Sequence, residues 1–314
     1  MSGSYQIVQL ASLGAEVDAE LARDYSVLPL WDEADPLPRL AEAPVATVVI
    51  TSVRRGMRRE WIEALPKLAA VCSWGVGYET LDVDAARERG IVLSNTPHVL
   101  DNCVADLAWA LMFSTARRTS VGDLYVKSGQ WTSIGAFPLS TRVWGKRLGV
   151  VGLGRIGAAI AKRGSGFDME VRYHNRSERP DAPYQYEPSL VELARWADFL
   201  VLACPGGPAT RHIVNREVLR ALGPEGILVN IARGTVVDEA AMVEALERGE
   251  LGGAGLDVVA NEPNVPQALL SMDNVSLMPH VGSATRETRA DMAKLVMENA
   301  RAFLQEGRLV TPIS

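Results

Sequence analysis

The sequence predicts an α/β fold with open parallel sheets, and three observations carry that prediction. Short apolar runs rich in Val, Ile and Leu alternate with stretches of helical spacing along most of the chain. One such run, residues 148–151, leads into Gly152-x-Gly154-x-x-Gly157 and then an alanine-rich stretch, residues 158–162, in the order strand, turn, helix. The polar residues that stand out follow the ends of apolar runs, which is where open α/β sheets bind ligands.

Residues 5–10 and 26–31 read as strands, with helical spacing over 17–25 between them. Pro36, Pro38 and Pro44 make 32–44 a loop or a broken helix. The β-branched run 45–51 is a buried strand, 57–65 a helix stopped by Pro66, and 68–73 a strand that ends at Trp74-Gly75-Val76-Gly77. A short helix over 82–89 stops at Gly90, and 91–94 is a strand. Residues 101–118 form a long helical pattern with Val104, Leu107, Ala108, Leu111 and Met112 on one face. The stretch 122–145 is less regular; its Trp131, Phe137, Pro138 and Trp144 suit either a subunit interface or packing within the subunit. From 148 on, strands are expected at 169–174, 198–203, 226–231, 254–257 and 275–278. Helices are expected over 189–196, 215–222 capped by Asn215, 238–248 capped by Asp238, and 285–305.

Composition narrows the function classes. The chain has 314 residues, enough for two ordinary domains, with 47% hydrophobic and 22% charged residues, a globular balance. A formal net charge of −6 gives no basic surface for nucleic acid. No apolar run approaches the ~20 residues of a membrane span. Met1-Ser2-Gly3-Ser4 lacks the basic-then-apolar order of a signal peptide. Three cysteines, Cys72, Cys103 and Cys204, with no C-x-x-C, point to free thiols in the cytoplasm, and no metal site is expected.

The glycines ask for a dinucleotide. Gly152 permits the sharp turn, Gly154 lets the backbone approach a pyrophosphate, and Gly157 lets helix and strand pack closely. The helix start then offers N–H groups and a positive dipole end to the phosphates. NAD-binding units place an acid about 20 residues beyond the glycines, on the ribose 2′-hydroxyl. Here the chain reads His174-Asn175-Arg176-Ser177 instead. An arginine attracts a 2′-phosphate and Asn175 and Ser177 add neutral donors, so NADP(H) is favoured, with NAD(H) the alternative. Of the four histidines, His98, His174, His212 and His280, the last follows an apolar strand and a proline at the lip of the sheet.

Gly152 to Gly157, Asn230-Ile231-Ala232-Arg233-Gly234, Asp257-Val258, Asn261-Glu262-Pro263 and Pro279-His280-Val281-Gly282 occur in that order. With Gly75-Val76-Gly77-Tyr78 and Ser94-Asn95-Thr96-Pro97 upstream, the chain resembles the D-isomer-specific 2-hydroxyacid dehydrogenases, most of all the glyoxylate/hydroxypyruvate reductases. The resemblance implies a small 2-oxo acid as substrate, with Arg233 on its carboxylate, His280 as general acid and Glu262 orienting the imidazole. Backbone N–H groups of Val76 and Gly77 would hold the substrate carboxylate. It implies cofactor contacts from Gly152, Gly154, Arg155, Ile156 and Gly157, and from Asn175, Arg176 and Ser177. Cys204, Pro205 and Thr210, then Ile231, Ala232 and Arg233, and finally Asp257, His280 and Gly282 complete that implied set.

The resemblance also implies a Rossmann-type coenzyme domain, residues 99–283, inserted into a flavodoxin-like substrate-binding domain made of 1–98 and 284–314. A homodimer through the coenzyme domain is expected. His98 departs from the glycine or aspartate of many relatives, and Arg54 and Arg55 make the 51–56 loop basic enough to suit a second anionic group on the substrate. Two other readings stand beside this one: a dehydrogenase for a bulkier acid such as 2-ketogluconate or phenylpyruvate, and a dinucleotide-sensing protein like the corepressors that share the fold.

Overall fold

The structure, a computed structural model, describes residues 4–313. Met1, Ser2 and Gly3, on which the signal-peptide reading bears, lie outside the described residues, as does Ser314. The chain is α/β throughout and divides into two compact units. One comprises the described residues through Leu100 and from Ala284 onward; the other is Asp101–Ser283.

The first unit carries strands β1 (Ile7–Gln9), β2 (Val27–Pro29), β3 (Val48–Ser52), β4 (Ala70–Trp74) and β5 (Val92–Ser94). They pair in parallel in the order β2-β1-β3-β4-β5, the flavodoxin-like arrangement. Strand period explains why these runs are mostly apolar on both faces. In β3, Val48 and Ile50 face Leu21, Val296 and Ala300, whereas Val49 between them faces Trp61 and Ile62. Both faces are covered, one of them by helix Arg286–Glu306, whose cap is Thr285. The Cys72 thiol lies in that core, and burial pushes it up to about 12.

The second unit carries β6 (Arg147–Val151), β7 (Glu170–His174), β8 (Gln185–Tyr186), β9 (Phe199–Leu202), β10 (Ile227–Asn230), β11 (Gly253–Leu256) and β12 (Val275–Leu277). All are parallel, in the order β12-β11-β10-β9-β6-β7-β8. Chain order reverses at β6, which lies between β7 and β9, and the crevice at such a switch point is where a Rossmann-type sheet takes its dinucleotide. Asn215 and Asp238 cap their helices as the sequence predicts: Asn215 accepts from the Glu217 and Val218 amides, Asp238 from that of Ala241.

Two stretches differ from the sequence reading. Helix Thr119–Lys127 occupies part of the segment expected to be irregular. It buries none of its residues and holds Gly122 in its interior, so neither an apolar stripe nor propensity announces it. β8 is two residues long, below the length at which alternation can be read. Within 32–44, one helical turn, Leu37–Leu40, starts with Pro38 in its first turn, where the missing N–H costs nothing.

Candidate active site

Parallel register sets the ligand edge of the second unit. His174 pairs with Val151, Val151 with Leu202, Leu202 with Asn230, Asn230 with Leu256, and Leu256 with Leu277, forming one row across six strands. Gly152, Asn175, Cys204, Ile231, Asp257 and His280 each follow their own strand's member of that row. Residues scattered over more than a hundred positions thus share one edge because the strands end level.

The glycine turn is built for close approach. Gly152 has φ 93°, and an added Cβ would lie 2.5 Å from the backbone nitrogen of Cys204. At Gly157 a Cβ would fall 2.1 Å from the Gly152 carbonyl oxygen, so only glycine lets helix Arg155–Gly164 seat here. At Gly154 it would meet nothing within 4 Å. That open space in front of a helix amino terminus fits a pyrophosphate. Cys204 is buried and its thiol is pushed up to about 11 by that burial, so it forms the neutral wall of the turn. Beside it, Thr210 donates from Oγ1 to the Pro205 carbonyl at 2.7 Å, closing the loop after β9.

The loop after β7 is fastened to this turn at Leu153. Asn175 Oδ1 accepts from the Leu153 amide at 2.7 Å, and Arg179 Nη1 donates to the Leu153 carbonyl at 2.6 Å. Arg176 and Ser177 are exposed between those two anchors. The His174 ring is engaged elsewhere, its Nδ1 2.9 Å from the Glu187 carbonyl oxygen. Arg179 is a cation that the sequence reading passed over; its position four residues beyond Asn175 was the available signal.

His280 stands on a turn that Asp257 clamps. The His280 amide donates to the Asp257 carbonyl at 2.8 Å. Asp257 Oδ1 accepts from the Val281 amide at 2.7 Å, and Oδ2 from the Gly282 amide at 2.9 Å. Burial raises the Asp257 carboxyl above its ordinary value, against the pull of those two amides. The ring itself is half-buried, and its Nδ1 lies 2.7 Å from Glu262 Oε2. A carboxylate oxygen accepts, so this contact puts a proton on Nδ1. The backbone at His280 is left-handed, φ 54°, a conformation the clamp over-determines.

Arg233 follows β10, and its turn is held by buried Asn230, which accepts from the Ala232 amide and donates to the Arg233 carbonyl, both at 3.0 Å. Ile231 and Ala232 are buried beneath it. Gly234 presses against the segment that leads to Glu262, since an added Cβ would lie 2.0 Å from the Val259 carbonyl carbon. The Ala260 amide on that segment is held by Glu239 Oε2 at 2.9 Å. The structure therefore brings the Arg233 turn alongside the strand ends that carry Asp257, Glu262 and His280. A guanidinium, a carboxylate and an imidazole on one rigid edge can hold an anion and move a proton.

In the first unit, Val76 and Gly77 follow β4 in a loop with its own supports. Asn95 Nδ2 donates to the Val76 carbonyl at 2.7 Å, and Thr96 Oγ1 accepts from the Gly75 amide at 3.1 Å. His98 has φ 72°, in the left-handed region that glycine and aspartate enter more readily than most residues. Arg55 corrects the idea that either arginine of the 51–56 loop is available to substrate. It lies 5.4 Å over the Trp61 ring and donates to the Glu33 and Ala34 carbonyls, so its guanidinium is committed to the fold. Arg54 is exposed.

Residues 109–282 match the D-isomer specific 2-hydroxyacid dehydrogenase family, NAD binding domain. The chain is 44% identical over 308 residues to hydroxyphenylpyruvate reductase of Plectranthus scutellarioides, covering 98% of each chain. It is 42% identical over 311 residues to glyoxylate/hydroxypyruvate reductase A of Arabidopsis thaliana, covering 99% of each. The crystal structure of an NADPH-dependent glyoxylate/hydroxypyruvate reductase from Sinorhizobium meliloti, in complex with NADP and malonate, matches with a TM-score of 0.93 at 40% identity, over 99% of this chain and 97% of that one.

Proposed function

Because the chain belongs to the D-isomer-specific 2-hydroxyacid dehydrogenases, NAD(P)-dependent oxidoreductases of 2-oxo and 2-hydroxy acids, we propose that it reduces a small 2-oxo acid of the glyoxylate/hydroxypyruvate type to the D-2-hydroxy acid, with NADPH as the preferred reductant. The observation that carries this reading is the His280–Glu262 pair at 2.7 Å, on the strand-end edge it shares with Arg233. Bound NADPH supplies the hydride. His280 delivers a proton from Nε2 to the carbonyl oxygen, while Glu262 holds Nδ1 and fixes the ring. Arg233 grips the carboxylate in a charge-assisted contact.

The residues after β6 and β7 hold the cofactor in this reading. Gly154, Arg155 and Ile156 face the pyrophosphate, and Arg176 with Asn175 and Ser177 takes the 2′-phosphate. The absence of an acid at that position supports NADPH, as does the NADP complex of the Sinorhizobium relative. The substrate-binding domain is then 1–98 with 284–314, and the coenzyme domain 99–283. Homodimerisation through the coenzyme domain is supported by a run of exposed apolar side chains after helix Thr119–Lys127, with Ile134 96% and Leu139 98% exposed. Cytoplasmic residence is supported by three cysteines that form no disulfide among the described residues. No helix among the described residues is long and apolar enough to cross a membrane.

A second reading, a bulkier 2-oxo acid, is favoured by the relative named for hydroxyphenylpyruvate. One experiment tests both: steady-state reduction of glyoxylate, hydroxypyruvate, phenylpyruvate and 2-ketogluconate, each with NADPH and with NADH. The highest kcat/KM is expected for glyoxylate or hydroxypyruvate with NADPH. A clear preference for an aromatic or sugar acid moves the assignment to the second reading, and no turnover of any of them marks a dinucleotide-sensing protein.

A further inference from the structure

The residues of the proposed mechanism leave one buried charge beside the glycine turn without a role. Asp101 opens helix Asp101–Arg117, and its side chain is only 12% exposed. Its Oδ2 lies 3.3 Å from Nε of Arg155, the residue that follows Gly154. Its Oδ1 is buried and has no hydrogen-bond partner among the described residues. A carboxylate in that state is costly, because one oxygen has lost water and gained nothing in exchange. Arg155 is the counter-charge paired with it among the described residues, and it is half-exposed.

The frame around the pair is stiff. Trp109 Nε1 donates to the Ile160 carbonyl at 3.1 Å, and Arg163 pairs with Asp106 at 2.7 Å, locking helix Asp101–Arg117 to helix Arg155–Gly164. One turn beyond Asp101, Val104 packs against Gly282, where an added Cβ would lie 3.4 Å from Val104 Cγ2. Asp101 therefore stands between the glycine turn and the turn that carries His280.

We propose that Asp101 is a positioning residue of the cofactor site: its carboxylate grips the Nε side of Arg155, so that the outer N–H groups of the guanidinium are held ready for the pyrophosphate. The inference rests on the reading of Arg155 as a phosphate contact. A guanidinium has five N–H donors in a planar fork, and a partner on Nε fixes the plane without occupying the outer pair. Holding a long side chain in its bound rotamer beforehand removes ordering cost from ligand binding. The orphaned Oδ1 is the sign of this compromise: the carboxylate is placed for Arg155 rather than for its own satisfaction.

The arrangement gives a reversal of sign that a purely structural acid would not. With Arg155 present, Asp101 assists the cofactor. With Arg155 removed, a buried and uncompensated carboxylate faces a polyphosphate and repels it. The test is NADPH affinity of the whole chain, read by fluorescence titration or calorimetry without substrate, for D101N, R155A and the double variant. D101N is expected to weaken NADPH about three- to tenfold, the ordering cost of one long side chain, and R155A to weaken it further. The double variant is expected to bind NADPH more tightly than R155A alone. NADPH affinity in D101N equal to or tighter than in the unmodified chain overturns the proposal, and so does a double variant no tighter than R155A. Should D101N fail to fold, R155K keeps the charge and loses the fork; unweakened affinity there overturns it equally. Unchanged affinity in R155A instead defeats the reading of Arg155 as a phosphate contact.

Discussion

The two ends of the second unit's ligand edge are built differently. At the β10–β12 end, polar side chains are spent on the protein itself. Both Asp257 oxygens hold backbone amides, Asn230 holds the Arg233 turn from both sides, and His280 leans on Glu262. At the β7 end, Asn175 and Arg179 anchor the loop through Leu153, and the tip between them, Arg176 and Ser177, is exposed. A group that must deliver a proton along one line needs a fixed ring. A group that must meet a phosphate dianion needs charge and reach, and a fixed loop base suffices.

The sharpest way to break this contrast is at its rigid end. His280→Ala is expected to lower kcat by about 10²–10⁴, the contribution of a positioned general acid. NADPH affinity, read by fluorescence titration, should hardly move. A parallel loss of cofactor affinity would mean that the β10–β12 end serves binding rather than proton transfer.

At the exposed end the signature should be reversed. Arg176→Ala is expected to raise KM for NADPH by about ten- to a hundredfold, the weight of a charge-assisted contact. KM for NADH and kcat with saturating cofactor should stay near their starting values. Unchanged preference between NADPH and NADH would assign the discrimination to another cation, and Arg179 would then be the residue to replace.

Glu262→Gln sharpens the rigid end further. The amide keeps the shape and can still accept from Nδ1, but it loses the charge and can instead present an N–H. The expected loss in kcat is roughly tenfold, smaller than for His280→Ala. Steady-state rates across pH check it: a variant indistinguishable from the unmodified chain would reduce Glu262 to a bystander.

The contrast also explains what was legible in the sequence. Strands covered on both faces spell themselves out as apolar runs, and caps such as Asn215 and Asp238 signal locally, so the order of elements could be read. The β10–β12 residues sit in short motifs at strand ends, and level register then gathers them. What stayed hidden depends on partners distant in sequence or on no pattern at all. Asp101 meets Arg155 across 54 positions, Arg179 reaches back to Leu153, and helix Thr119–Lys127 has no buried face to betray it. Arg55 misled for the same reason: its basic neighbourhood was visible, whereas the Glu33 and Ala34 carbonyls it serves were not.

The effect furthest from catalysis concerns what the clamp costs. Asp257 holds two backbone amides in a buried position, and burial raises its carboxyl above its ordinary value. A raised carboxyl binds its proton more tightly in the folded chain than in the unfolded one. It therefore contributes stability that is complete below the ordinary value and is lost as pH climbs through the raised one. Asp257→Asn carries no such titration. It also leaves one of the Val281 and Gly282 amides facing an NH₂ group, an absolute loss of about 1–3 kcal/mol. The variant should be less stable than the unmodified chain at every pH, with the gap narrowing from pH 4 toward neutrality. Denaturant midpoints across that range measure it. A gap that widens with rising pH would mean that the two amides outweigh burial and that the carboxylate is comfortable where it sits.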